Sequence, residues 1–307
     1  MTELSKKIFS NYQVRKTRKQ KTEFIELLEK ELQDKQITVE SGGWTRCRNI
    51  IVGDIEKAEY ILGAHYDTQP VLPFPNFLTP KNMFIYILYV LLIVIFLFAV
   101  EFVVIFVARL VFQDSEIVSA LSRLVLGVLL IGMLFGPANK HTANDNTSGV
   151  ITLIEAIHNE EIAKKAAFVF FDQEELGLFG SAFFAKKHKK LMKDKLLINF
   201  DCVSDGNHMM FIYSKPAKKY QTALESACTS TKEKNAVHTD AAKTLYPSDQ
   251  MNFKCSVGVA AFNKNKLFGY YIDKIHTPKD IVFDERNIEF LIDGLVRFFQ
   301  NIESKEL

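Results

Sequence analysis

The 307-residue sequence holds only four cysteines, one tryptophan and eight prolines, and its net charge is just +2. Cys47, Cys202, Cys228 and Cys255 show no C-x-x-C or other paired spacing. That excludes a disulfide framework and a thiolate zinc site, and it fits a reducing compartment. So small a net charge gives no argument for nucleic acid as a partner. An apolar leader is missing too: the start of the chain is polar, so no signal peptide is expected. Basic residues do gather there, at Lys6, Lys7, Arg15, Lys16, Arg18, Lys19 and Lys21. They either solvate a helix or meet an anionic membrane surface.

Apolar length, by contrast, is plentiful. Residues 83–107 read MFIYILYVLLIVIFLFAVEFVVIFV, with Glu101 the only charge. That exceeds the ~20 residues needed to cross a hydrocarbon core. A second run, 124–137, reaches spanning length only if it begins near Ile117 and carries Ser119, Ser122 and Arg123 in its outer turns. Together they predict a transmembrane hairpin, with a soluble hairpin buried against a partner protein as the competing expectation. The chain then divides into residues 1–80 and 139–307 as two parts of one catalytic domain, with 81–138 inserted between them.

The flanking sequence alternates strand and helix patterns. Residues 9–36 predict a helix with an apolar stripe of Phe24, Ile25, Leu27, Leu28 and Leu32, ended by Ser41, Gly42 and Gly43. CRNIIVGD and AEYILGAHYDT predict two strands, and the proline-rich 69–80 an irregular segment. ANDNTSGVITLIEAIHNEE predicts a turn capped within Asp145, Asn146, Thr147 and Ser148, and then a helix. AAFVFF at 166–171 predicts a buried strand, SAFFAKKHKKLM a helix, and LLINFD another strand. HMMFIYS and GVAAFN add strands, PAKKYQTALESACTS a helix, and the end of the chain a helix with Asp284 as N-cap. This rhythm predicts an α/β fold, a mostly parallel or mixed central sheet flanked by helices on both faces.

The polar residues that interrupt this pattern fall at inferred strand ends or in the loops after them. They are His65 and Asp67, Asp145, Glu174 and Glu175, Asp201, and His276 within KIHTPKD. Taken singly, each has a plain explanation as a surface histidine, a helix cap, a solvated acidic pair or a turn residue. As a set they supply what two divalent ions need: imidazole and carboxylate ligands suit zinc, and a shared carboxylate can bridge ions about 3.5–4 Å apart. Their place beyond the carboxyl ends of strands is where open α/β sheets carry ligands.

GAHYDT, ANDNTSG, FDQEELGLFGS, INFD and IHTPKD occur in that order. In these five stretches the sequence resembles the di-zinc aminopeptidases of metallopeptidase clan MH, family 28, over residues 45–69 and 138–300. The resemblance implies a zinc-exopeptidase-like fold that removes N-terminal residues from peptide substrates with two Zn2+, one or both replaceable by another divalent ion. It implies that His65 and Asp201 bind one zinc, Glu175 and His276 the other, and that Asp145 bridges them. It makes Glu174 the general base and sets Asp67 behind His65, accepting the free ring N–H.

Two departures from the family pattern stand out. Ile275 occupies the position before the last histidine where members often carry a tyrosine, so Tyr246, Tyr270 or Tyr271 substitutes for it or the metal acts alone. The connection between HYDT and NDNTSG, usually short, here holds the hairpin. YPSDQMNF resembles the family stretch upstream of the last histidine and brings Asp249 toward the site.

The expectation is a membrane-anchored zinc aminopeptidase that contacts the lipid bilayer through residues 83–138. A hairpin returns the chain to the side it left, so the catalytic domain lies on one face, and the polar, basic start of the chain makes the cytoplasmic face the expected one. Two alternatives stay open. One is a glutaminyl-cyclase-like single-zinc acyltransferase, since such relatives share HYD and FD-x-EE patterns. The other is a non-catalytic membrane scaffold of the same fold.

Overall fold

A computed structural model describes residues 1–306, with side chains as far as Glu303. Nine strands form one mixed sheet: β1 (Ile37–Gly42), β2 (Cys47–Val52), β3 (Tyr60–His65), β4 (Ala166–Phe171), β5 (Leu196–Phe200), β6 (His208–Tyr213), β7 (Asn235–Asp240), β8 (Ser256–Asn265) and β9 (Gly269–Tyr271). Their order is β1-β2-β4-β3-β5-β8-β6-β7, with β9 paired to β8. The centre, β4-β3-β5-β8, is parallel; β1 and β2 run antiparallel at one side, and on the other β6 is antiparallel to β8 and parallel to β7. Every residue of β3, β4 and β5 is buried. Strands covered by helices on both faces have no solvent side on which to alternate, which is why they read as continuous apolar runs.

The larger helices are α1 (Glu3–Asn11), α2 (Arg18–Glu31), α3 (Met83–Val111), α4 (Ser115–Phe135), α5 (Gly149–His158), α6 (Glu160–Ala163), α7 (Phe179–Lys187), α8 (Gln221–Ala227) and α9 (Glu285–Glu306). One face of the sheet buries Phe24 and Leu28 of α2, Ile154 of α5 and Phe298 of α9 in the main core. The opposite face packs Phe171, Phe184 and Phe253. The α/β expectation therefore holds, with helices on both faces.

The single N-terminal helix expected over 9–36 is instead two. Thr17 accepts from Gln20 N while the Gln20 side chain accepts from Thr17 N, a capping box that starts α2 afresh. The intervening turn sends Arg15 inward, where it donates to the carbonyls of Tyr66 and Tyr12. Residues 37–42, which follow the expected helix and run into the glycines expected to end it, pair antiparallel with β2 as an edge strand. The basic cluster also divides. Arg15 and Lys21 are neither solvating nor free to meet a membrane: both are buried, and Lys21 pairs with Asp172 just past β4.

A buried pair that loses one partner leaves an uncompensated charge, at a cost of about 3–5 kcal/mol. Lys21→Met is therefore expected to destabilise the chain by about 3 kcal/mol, read from chemical denaturation of the detergent-solubilised protein. An unchanged midpoint would show that Asp172 is satisfied by its bond from Arg48 N and Lys21 contributes nothing.

The inserted segment folds as the two expected helices. α3 and α4 are both long and apolar enough to cross a membrane, and the most apolar window of each is 0% and 11% buried. Ser122 Oγ donates to Glu101 across the hairpin at 3.1 Å, giving the one acidic side chain of the first run a partner. α4 has 21 residues and α3 has 29. At 1.5 Å per residue α4 alone is about 31 Å long. The surplus turns at the start of α3 pack on the sheet domain, where Tyr86 touches the cluster of Leu78, Phe262 and Ile272.

Candidate metal centre

Three neighbouring parallel strands aim their carboxyl ends at one point. β3 ends on His65, β4 is followed by Glu174 and Glu175, and β5 by Asp201. The loop before α5 brings Asp145, and the segment after β9 brings His276. His65, Asp67, Asp145, Glu174, Glu175, Asp201 and His276 all converge here.

Their polar atoms form two groups that share one carboxylate. His65 Nε2 lies 3.3 Å from Asp145 Oδ1 and 3.5 Å from Asp201 Oδ1. His276 Nε2 lies 3.2 Å from Asp145 Oδ2 and 3.4 Å from Glu175 Oε2. The two oxygens of Asp145 thus face opposite histidines. Ligand atoms of His65, Asp145 and Asp201 lie within 4.8 Å of one another, and the same holds for Asp145, Glu175 and His276. A further grouping, His65 with Glu174 and Glu175, sets Glu174 beside both.

Backbone geometry holds this arrangement. Asp67 accepts from Glu174 N at 3.0 Å and Glu175 N at 3.3 Å, fixing the acidic pair. Asp280 accepts from Asn144 N at 2.8 Å and Asp145 N at 3.0 Å. Asn146 ties the same loop to β5, donating to Phe200 O and accepting from Gly149 N and Cys202 N. Gly149 must lack a side chain, because a Cβ would come 2.4 Å from both Asn146 Oδ1 and Phe200 O. The capping role expected within Asp145–Ser148 therefore falls to Asn146 alone, and Asp145 stays free for the site.

The electrostatics call for added positive charge. Burial pushes the Glu174 and Glu175 carboxyls well above the ordinary range, and the neighbouring carboxylates push them further. Burial alone would lower His65, but Glu174, Asp145, Asp201 and Asp67 outweigh it and hold the ring well above its usual value. Asp249, likewise enclosed, is pushed up to about 7 by burial, with Asp67 and Asp201 adding repulsion against the pull of His65 and Ser181. Buried carboxylates in such number are tolerated when they are paired or coordinate a cation. Among the described residues, His65 Nδ1, Glu175 Oε1 and Asp201 Oδ1 are buried without a hydrogen bond. Orphaned acceptors beside two imidazoles, all of them oxygen or nitrogen, are a donor set suited to a borderline divalent ion such as zinc.

Some functional contacts escaped the sequence. Asp280 stood inside KIHTPKD with no role, and Arg15 lies behind Asp67 with its pKa lowered to about 10, chiefly by burial. The expected ring bond from His65 to Asp67 is not formed: Nδ1 stands 3.5 Å from Oδ1. The tyrosines offered as substitute donors are engaged elsewhere. Tyr246 donates to Asp201 O at 2.9 Å, Tyr270 meets His208, and Tyr271 packs on Phe77 and Phe268.

Comparison with known proteins follows the same lines. Leucine aminopeptidase 2 of Trichophyton rubrum is 33% identical over 82 residues, 25% of this chain and 17% of that protein. The match thus spans under a fifth of the relative's length. A Zn-dependent exopeptidase from Parabacteroides distasonis superposes with a TM-score of 0.60 at 15% identity, covering 96% of this chain and 94% of that one. Porphyromonas gingivalis glutaminyl cyclase superposes with a TM-score of 0.60 at 14% identity, covering 97% and 95%. At such identities these likenesses concern the fold. The profile of peptidase family M28 matches residues 127–289, more than half of the chain and the part that carries Asp145, Glu174, Glu175, Asp201 and His276. The chain belongs to peptidase family M28.

Proposed function

We propose that this protein is a membrane-anchored aminopeptidase that holds two zinc ions, or other divalent ions in their place, and hydrolyses N-terminal residues from peptides. The observation that carries the reading is Asp145, whose two oxygens face His65 and His276 on opposite sides beside Glu174. His65 and Asp201 would hold one ion, Glu175 and His276 the other, and Asp145 both. Zinc bound in this way supplies Lewis-acid polarisation of a carbonyl and a water acidic enough to react near neutral pH.

The remaining chemistry belongs to side chains. Glu174 takes the proton of the attacking water and delivers it to the leaving amine, a cycle that returns the carboxylate to its starting state. Asp67 keeps Glu174 and Glu175 on their separate tasks by binding both backbone N–H groups. The acidic surroundings favour a substrate bearing a free α-ammonium.

Residues 1–80 and 139–307 form the catalytic domain in this reading, and 81–138 its transmembrane insertion. α3 and α4 leave and re-enter on the same side, so the whole site lies on one face of the bilayer; the basic residues Lys6, Lys7, Lys16, Arg18 and Lys19 near the start of the chain favour the cytoplasmic one. A reporter inserted at Ser115 is then expected to be labelled from outside intact cells while one at the C-terminus is protected; the reverse pattern would invert the orientation.

A glutaminyl-cyclase-like acyl transfer is the second reading, and a single zinc would suffice for it. Mass spectrometry of products from two peptides separates the readings. The aminopeptidase shortens a peptide with N-terminal leucine by one residue. Loss of ammonia from a peptide with N-terminal glutamine, with the leucine peptide intact, would establish the cyclase instead. Neither product from metal-loaded protein would leave a scaffold of this fold.

A further inference from the structure

The sheet domain and the hairpin meet at a strap, residues 69–82, and this strap is bonded to the loop that carries His276. Leu72 N donates to His276 O at 2.8 Å, Asn76 N to Ile275 O at 3.1 Å, and Leu78 and Ile272 exchange both backbone bonds at 3.0 Å. On the return from the hairpin, buried Asn139 donates its side-chain amide to Thr277 O at 2.9 Å and its backbone N–H to Gln69 O at 3.0 Å. Both legs of the insertion therefore grip residues 272–277. His276 itself sits at φ 63°, in the left-handed region. That conformation is unfavourable for a non-glycine residue and persists only where the surroundings over-determine it. The carbonyls of Ile275, His276 and Thr277 are all acceptors for these two legs, which supply that constraint.

The other side of the strap packs on the hairpin. Phe74 meets Phe96 edge-on at 6.3 Å, Phe77 meets Tyr89 at 5.3 Å, and the Tyr89 hydroxyl donates to Pro75 O. Beside the Phe74–Phe96 contact lies an apolar pocket of about 200 Å³, open on one side, bordered by Val71, Leu72 and Phe74 from the strap and Phe96, Leu129 and Gly132 from the helices. The group of His65, Asp145 and Asp201 is placed differently. His65 and Asp201 hang from β3 and β5 at the centre of the sheet, and among the described residues no strap hydrogen bond reaches either.

We propose that the strap is a positioning element that transmits the seating of α3 and α4 to His276, so that Asp145, Glu175 and His276 hold their divalent ion tightly only while the hairpin is packed in a bilayer. This rests on the metal reading given above. Outer partners that orient a ligand typically contribute 10–100-fold to metal affinity.

The test is zinc titration of the metal-stripped full chain against a chromophoric chelator, in lipid nanodiscs and in detergent. Leu72→Pro removes the N–H that binds His276 and trims a side chain that borders the hairpin pocket; a residue before proline, as Leu72 is before Pro73, favours extended backbone. Asn139→Ala removes the side-chain donor to Thr277. In nanodiscs each variant is expected to weaken one ion about 10–100-fold and leave the other unchanged. Phe74→Ala, which loosens the strap from the hairpin but touches no bond to 272–277, is expected to weaken the same ion, as is transfer of the wild type into detergent. Unchanged affinities in all three variants, equal weakening of both ions, or identical wild-type curves in nanodiscs and detergent would overturn the proposal. Should the proline variant fail to fold, Phe74→Ala and the wild-type comparison decide it. A wild type that takes up no zinc in either medium overturns the metal reading itself.

Discussion

Glu174→Gln is expected to reduce turnover of an aminoacyl-nitroanilide by about 10³-fold while the bound zinc stays as in the wild type. The amide fills the same space and its backbone N–H still meets Asp67, so the local structure has no reason to move. What is lost is a group that can accept a proton. Burial and the surrounding carboxylates raise the affinity of Glu174 for that proton. Full activity in the Gln variant would move the base elsewhere, with Asp249 the next carboxyl at the site. Loss of zinc together with activity would instead make Glu174 a ligand.

The second large effect concerns Asp145. Each of its oxygens faces a different histidine, so Asp145→Asn degrades both metal groups at once. Zinc content is expected to fall from about two per chain to below one, with turnover lower by about 10³-fold or more. Asp201→Asn is the control: it touches only the group with His65 and is expected to release one ion and retain the other. Similar metal loss in the two variants would argue against a shared carboxylate, because only a bridging residue makes the Asp145 change the worse of the two.

Much of this was legible in the chain before folding was considered. β3, β4 and β5 announce themselves as apolar runs that stop abruptly in His65, Asp172 and Asp201, since strands buried on both faces leave no polar alternation to confuse them. The ligand candidates follow from where those runs end. The hairpin helices were equally plain, because nothing but length and apolarity is needed to recognise them.

What stayed hidden depends on contacts between distant residues or on weak local signals. Lys21 lies on a charged helix and looks solvated, yet its partner Asp172 is 151 positions away. The break before α2 turns on a four-residue capping box inside an otherwise continuous helical pattern. β1 and β7 are half-exposed edge strands, ITVESG and NAVHTD, too polar to stand out. β9 is three residues long. The proline-rich 69–80 reads as irregular and is irregular in form, but its hydrogen bonds run to a loop some 200 residues on. No pattern in the segment itself discloses them.

The central claim is that one shared carboxylate organises two metal positions in a single site. Metal analysis of the full chain, reconstituted in lipid nanodiscs without chelator and saturated with zinc, tests it most directly. About two zinc per chain in the wild type, about one in Asp201→Asn and fewer still in Asp145→Asn is the predicted result. A wild type that saturates at one zinc, or binds none, would contradict it.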